Sequence, residues 1–289
     1  MKTDGKFGMT TTTIEVKSST KPIRIIPVGD IHYGAENHAT EAFDSFCRYA
    51  KDSGAYFILM GDYLELFSAT ERRTLAKAYA DSDLRDNARL AIEEGLKTQL
   101  GKLAKKLAFM KGRVLGVLGG NHSYTFEDGL STDELLAQRL EAPYLGVLGC
   151  IHLAIDYHHV RSAVWIWAHH GKGGTGKTVG HQFNCVDDMA QFLRGDIYLM
   201  GDNHGRGVVP CKDELVPYCD SKGGMNVKQH VRYLGRTGSF LKGYEPGKRS
   251  YIVDSLLRPN SLGFIEFELR IVDKRKRGGD FSIQISGRS

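Results

Sequence analysis

Ile23-Arg24-Ile25-Ile26-Pro27-Val28-Gly29-Asp30-Ile31-His32 carries an apolar stretch straight into a tight Asp/His cluster. The arrangement returns four times. Residues 56–60 precede Gly61-Asp62, 114–118 precede Gly119-Gly120-Asn121-His122, 164–168 precede His169-His170-Gly171, and 197–200 precede Gly201-Asp202-Asn203-His204. Apolar runs of this length bounded by glycine read as buried strands. The residues after each run sit where strand gives way to loop, which is where open α/β sheets place ligand sites. Carboxylate, carboxamide and imidazole are ligands of divalent first-row metals. The pattern predicts one metal centre that gathers its ligands from five strand ends.

Outward from these runs, Phe43, Phe46, Cys47 and Ala50 recur at helical spacing and predict a helix over 41–51, completing a βαβ unit with the strands on either side. Residues 63–112 read as a helical insertion. Leu75, Ala78 and Tyr79 mark one helix, Leu90, Leu96, Leu100, Leu103 and Leu107 a second, and Asp81-Ser82-Asp83 the turn and cap between them. A short helix follows over 132–141, capped by Thr132-Asp133-Glu134. Residues 151–157 and 161–168 pair as a hairpin around His158-His159, and a loop and helix at about 180–194 lead to the fifth strand. Beyond Gly205 the chain is β-rich, with runs at 231–234, 250–253, 264–272 and 281–285. Helix-strand units first and strands later predict an α/β fold of two sheets with helices outside, in one domain over 22–289. Residues 1–21 read as a leader or an added edge strand.

No apolar run in the 289 residues approaches the ~20 needed to span a bilayer. Cys47, Cys150, Cys185, Cys211 and Cys219 are scattered and form no CxxC pair, which reads as reduced structural thiols and a cytoplasmic protein. Residues 205–289 hold 16 Lys and Arg against 9 Asp and Glu, so the net charge of +5 is concentrated there. A basic C-terminal part beside an acidic metal site suits a polyanion such as DNA or RNA. It equally suits an ordinary solvated surface. Lys274-Arg275-Lys276-Arg277 before Gly278-Gly279 reads first as a charged hairpin turn and second as a phosphate clamp.

Taken together and in order, the five clusters resemble the motifs of the calcineurin-like metallophosphoesterases: D-x-H, G-D, G-N-H, a lone His, then G-H-x-H. The resemblance covers roughly residues 23–204 and implies an α/β two-sheet sandwich with flanking helices. It further implies two divalent metals and hydrolysis of a phosphate ester. By that resemblance Asp30, His32 and His204 hold the first metal and Asp62 bridges both. Asn121, Asp202 and one of His169 and His170 hold the second. His122 is not a ligand; it protonates the leaving oxygen or stabilises the transition state. Elementary chemistry agrees, since two ions about 3.5–4 Å apart clamp a phosphate and acidify water. A bridging ligand needs two oxygens, as Asp62 has, and imidazole titrates in the range that acid catalysis near neutrality needs.

Two departures stand out. Asp202 occupies a position where the family carries His, which predicts Mn²⁺ or Mg²⁺ ahead of Fe or Zn²⁺, or else a weak second site that Asp202 does not join. Ser123 replaces the acidic residue that often orients the histidine, leaving Glu127, Asp128 or nothing for that task. The His-Gly pair favours His170 over His169. Protein phosphatase motifs with their arginines are missing, Tyr63 and Ser123 standing in those places.

Gly171-Lys172-Gly173-Gly174-Thr175-Gly176-Lys177-Thr178 also matches the phosphate-cradling P-loop, so a P-loop NTPase is the rival reading. It leaves Asp30, His32, Asp62, Asn121 and His122 without a purpose. The preferred reading is a glycine loop over the metal site, with Lys172 or Lys177 meeting substrate phosphate. A catalytically inert metal-binding module is the third class. The substrate expected is a nucleic acid or nucleotide phosphodiester, with a small phosphomonoester close behind.

Overall fold

The computed structural model of the chain describes residues 6–65, 86–171, 180–211, 214–219, 223–248, 250–254, 256, 258–273 and 281–289. Strands β1 (Phe7–Val16), β2 (Ile23–Val28), β3 (Tyr56–Leu59), β4 (Val114–Val117), β5 (Leu148–Tyr157), β6 (Val160–His169) and β7 (Ile197–Met200) come first. They are followed by β8 (Arg206–Pro210), β9 (Glu214–Cys219), β10 (Met225–His230), β11 (Tyr233–Thr237), β12 (Glu266–Asp273) and β13 (Phe281–Arg288). One sheet has the order β13-β12-β2-β3-β4 and another β1-β5-β6-β7-β11-β8, while β9 and β10 pair only with each other. The helices are α1 (Thr40–Ser53), α2 (Asp86–Lys106), α3 (Thr132–Arg139), α4 (His181–Phe192) and the single turn α5 (Tyr251–Asp254).

β2, β3 and β4 are parallel, so their C-terminal ends lie on one side. Their residues alternate between two cores. Ile25, Ile58 and Leu115 point between the sheets, where they meet Ile151, Leu153, Ile166, Leu199 and Phe267. Ile26, Val28, Phe57, Leu59 and Val117 point the other way, onto Phe43 and Phe46 of α1 and Leu100 and Leu103 of α2. Both faces are covered, which is why these strands read as continuous apolar runs rather than alternating ones. Each such fully buried Leu, Ile or Phe contributes about 1.5–3 kcal/mol. A third cluster packs Val186, Met189 and Ala190 of α4 on Tyr198 and Met200 of β7. The result is the expected mixed α/β architecture, two sheets with helices outside.

β1 (Phe7–Val16) lies at the edge of its sheet and pairs in parallel with β5 from Phe7↔Leu148 to Val16↔Tyr157. The β5–β6 hairpin turns at His158 and His159, whose φ angles of 52° and 67° are those of a tight two-residue hairpin loop. In the insertion, α2 buries Leu96, Leu100 and Leu103 but leaves Leu90 exposed. Leu75, Ala78, Tyr79 and the Asp81-Ser82-Asp83 turn lie outside the described residues, as do Lys172 to Thr178 and Lys274 to Arg277. The strands flanking that last basic run pair antiparallel, Asp273 opposite Phe281.

Three expectations are corrected. Residues 250–253 form a helical turn instead of a strand, because the Ser250 carbonyl accepts from Asp254 N (3.0 Å) and its hydroxyl from Ile252 N (3.2 Å). The cap of α3 is Ser131, in a capping box where Ser131 Oγ accepts from Glu134 N and Glu134 Oε2 from Ser131 N. β11 starts at Tyr233 rather than Val231, because its pairing with β7 and β8 begins there, at Tyr233↔Ile197 and Tyr233↔Pro210. None of the five cysteines is in a disulfide. No helix among the described residues is long and apolar enough to cross a membrane.

Candidate metal centre

The five strand ends converge. The residues after them leave extended backbone abruptly: Asp30, His32, Asp62, Asp202 and His204 have φ angles of 48°, 47°, 53°, 66° and 56°. That left-handed region is rare for residues other than glycine, and Asp, Asn and His are among the side chains that enter it most readily. Holding it costs on the order of 1–3 kcal/mol per residue unless the surroundings enforce it. Cross-links between the clusters do so here. Asp30 N donates to Gly61 O and His32 N to Asp62 O, both at 3.0 Å, and Gly201 N donates to His170 O at 2.7 Å. Asp62 Oδ1 accepts from His122 N (2.9 Å), and Asp30 Oδ2 accepts from Asp202 N (3.1 Å). Gly120 is required by this crowding, because a Cβ there would strike Asp62 Oδ1 and Asp62 N.

Asp62 faces both halves of the cluster. Its Oδ1 lies 3.3 Å from His170 Nε2, while its Oδ2 lies 4.0 Å from His32 Nε2 and 3.8 Å from His122 Nε2. On one side His204 Nε2 stands 3.5 Å from Asp30 Oδ1 and 3.2 Å from His32 Nε2. On the other, His170 Nε2 is 3.8 Å from Asp202 Oδ1, to which Asn121 Nδ2 donates at 2.9 Å, leaving the Asn121 carboxamide oxygen for another partner. Three groups of potential ligand atoms overlap: Asp30, His32 and His204; Asp30, Asp62 and His170; His32, Glu65 and His122. His169 belongs to none of them, and its Nδ1 instead accepts from Gly171 N at 2.9 Å.

Burial and charge work against each other here. Burial pushes the Asp30 carboxyl up to about 8, and the neighbouring Asp62 and Asp202 add to this against the pull of His170. Burial alone would raise Asp62 as well, but His170, His122 and His32 hold it well below the carboxylate range. Burial opposes charge on His170; Asp62, Asp30 and Asp202 outweigh it and raise the ring to about 10. His204 is driven down to about 3 by burial and by His32 beside it.

A metal fits these residues. Asp30 Oδ1 and His170 Nε2 are both buried with no hydrogen-bond partner. Such orphaned atoms cost about 1–3 kcal/mol each, and both face the same cluster of carboxylates. His170 Nδ1 is 2.7 Å from Met60 O and His32 Nδ1 is 2.7 Å from Glu65 Oε2, so each ring donates there and turns Nε2 toward the cluster, where a cation would take the place of any proton on it. This is the second layer that metal-binding histidines normally have.

Glu65 went unnoticed in the sequence. Its Oε2 lies 2.7 Å from His32 Nδ1 and 2.5 Å from His122 Nδ1, joining a candidate ligand to the candidate acid. Burial would raise its pKa, but the hydrogen bonds from His122 and His32 lower it to about 2. It is therefore Glu65, three residues after Asp62, that orients His122. Glu127 is engaged with Arg89 at 2.6 Å, and Asp128 accepts from Leu130 N. Glu65→Gln is expected to weaken Mn²⁺ binding by roughly 10–100-fold through His32, measured by calorimetric titration; unchanged affinity would show that His32 needs no such support. Two more neighbours of the cluster were missed. Asp133 accepts from Gly120 N at 2.8 Å, and Asn260 contacts His204 from the far end of the chain.

No family model and no curated protein matches the chain. Among solved structures it is similar to the calcineurin-like phosphoesterase YfkN from Bacillus subtilis, at 12% identity over 93% of this chain and 91% of that one, with a TM-score of 0.40. It is also similar to the phosphoesterase YfcE from E. coli, at 12% identity over 86% and 93%, with a TM-score of 0.37. A predicted phosphoesterase from Streptococcus pneumoniae matches at 12% identity over 91% and 88%, with a TM-score of 0.32. Likeness at this level concerns the course of the chain and says nothing of substrate.

Proposed function

We propose that the chain is a phosphoesterase dependent on two divalent metals, acting on phosphodiesters. The observation that carries this reading is the convergence of Asp30, His32, Asp62, Asn121, His170, Asp202 and His204, with two buried polar atoms left unpartnered and facing that cluster. Asp30, His32 and His204 would hold one cation, Asn121, His170 and Asp202 the other, and Asp62 would give one oxygen to each. Divalent cations bound there would draw charge from the phosphate oxygens and lower the pKa of water. His122 retains 18% of its side chain exposed against 2% for Asp62, so it stands at the mouth where a substrate arrives. Glu65, accepting from Nδ1, fixes the ring and supports its doubly protonated form, whose Nε2 proton would pass to the leaving oxygen.

Charge favours a diester. Asp30, Asp62 and Asp202 against two dications leave one net positive charge, which a phosphodiester monoanion neutralises and a monoester dianion overshoots. Nucleic acids and nucleotides belong to that class, and the basic C-terminal part suits them. With four oxygen-donor side chains in the set, Mn²⁺ or Mg²⁺ is preferred to Zn²⁺. The reduced cysteines fit a cytoplasmic setting.

The test compares bis-p-nitrophenyl phosphate, p-nitrophenyl phosphate and single-stranded DNA with Mn²⁺ present. Diester hydrolysis at least tenfold faster than monoester hydrolysis is expected. A reversed ratio would overturn the charge argument, and activity greatest with Zn²⁺ the metal preference.

A further inference from the structure

The three histidines proposed as ligands each have their second ring nitrogen engaged, and one of the three is engaged the wrong way round. His32 Nδ1 meets the Glu65 carboxylate and His170 Nδ1 meets the Met60 carbonyl, both acceptors only. His204 Nδ1 instead meets Asn260 Nδ2, at 2.9 Å. A carboxamide can present either its oxygen or its nitrogen, so its orientation needs an independent anchor. Leu241 O supplies one: the same Asn260 Nδ2 donates to that carbonyl at 2.7 Å. A backbone carbonyl only accepts, so the atom lying between Leu241 O and His204 Nδ1 is the NH₂ group, which uses one hydrogen on each. Turning the amide over would set two oxygens against each other.

His204 Nδ1 must then accept, and in the neutral ring the proton sits on Nε2. The neighbours agree. His32 donates through Nδ1, which leaves its Nε2 as an acceptor, and that atom lies 3.2 Å from His204 Nε2. A continuous chain of donation runs Asn260 to His204 to His32 to Glu65. It places a proton on the very nitrogen that the proposed function assigns to a cation.

We propose that Asn260 is a positioning residue that holds His204 in its Nε2–H tautomer and thereby weakens the metal position formed by Asp30, His32 and His204. The inference rests on the metal-dependent reading above. Loading a cation at His204 Nε2 requires the ring proton to move from Nε2 to Nδ1, with no net gain or loss of protons by the ring. Asn260 must then turn its oxygen to His204 and give up Leu241. At the other position, with Asn121, His170 and Asp202, no tautomer has to change, since His170 Nδ1 already meets Met60 O; a cation there takes the place of a proton on Nε2, and the carboxylates that favour that proton would serve the cation instead. The two cations therefore load in order, with the one at His204 second and weaker.

The test is Asn260→Leu, a neutral change of nearly the same size that removes the amide. An ordinary supporting residue loses affinity by roughly 10–100-fold on removal. Here the weaker of two Mn²⁺ sites, measured by calorimetric titration, should instead tighten by about tenfold, the worth of one strong hydrogen bond no longer opposing it. Weaker binding in the variant would overturn the proposal. Nitrogen-15 spectra of the metal-free wild type, with the His204 signals assigned through His204→Gln, give a second readout independent of metal. A proton on Nε2 supports the assignment, and a proton on Nδ1 defeats it. If Mn²⁺ fails to bind the wild type at all, the metal-centre reading and the loading order fall together, while the spectra still decide what Asn260 does to His204.

Discussion

Asp62→Asn is expected to reduce bound Mn²⁺ from two ions per chain to at most one and to lower diester hydrolysis by about a thousandfold. Asp62 turns its two oxygens to different neighbours, Oδ1 toward His170 and Oδ2 toward His32 and His122. A carboxamide keeps the shape and still accepts from His122 N through its oxygen, but its nitrogen cannot ligate. A cation's share in stabilising the transition state is several kcal/mol, and each 1.4 kcal/mol is about tenfold in rate. Folding should survive, because the change removes one charge from a crowded set of carboxylates; thermal unfolding in metal-free buffer checks this. Two ions bound with full activity in the variant would show that Asp62 is not shared.

His122→Ala has the next largest expected effect, a fall in kcat of roughly 10²–10⁴-fold with both metal ions still bound. His122 Nδ1 is committed to Glu65, and its Nε2 points to the side where Asp62 Oδ2 lies 3.8 Å away. It stands edge-on to His32, ring centroids 4.8 Å apart, and so shares the cluster's wall without completing any ligand set that lacks Glu65. Loss of activity with loss of metal would make His122 a ligand instead. Substrates with better leaving groups discriminate further: the variant's deficit should shrink as the leaving oxygen needs less protonation.

Much of this centre was legible because it sits where regular structure stops. Apolar runs buried on both faces mark β2, β3, β4 and β7 without ambiguity, and the polar residues following them are few. His170 was preferred over His169 from the glycine that follows, and it is His170 that the fold turns inward. The pleat explains why: His169 continues the outer face of β6, sharing parity with Trp165 and Trp167, whereas Ile166 and Ala168 point into the core.

The residues behind the cluster were not legible, for equally physical reasons. Glu65 was hidden because a single Glu beyond a recognised motif looks like surface, and only the fold shows two imidazoles sharing its carboxylate. Asn260 lies 56 residues from His204 in the chain, and nothing in its local sequence marks it. β8, β9 and β10 escaped notice because they are short and largely exposed, so no apolar pattern announces them. The helical turn over Tyr251–Asp254 was misread because Ile252 and Val253 favour strands, while the deciding contacts come from the Ser250 hydroxyl and carbonyl.

Two metals at these strand ends would make the cluster a working centre. The most direct measurement is the metal content of chelator-stripped protein titrated with Mn²⁺, followed in parallel by hydrolysis of bis-p-nitrophenyl phosphate. Two ions per chain, no hydrolysis in stripped protein, and activity that rises as the second ion binds are expected. Hydrolysis that persists after stripping, or a chain that takes up no Mn²⁺, would contradict it.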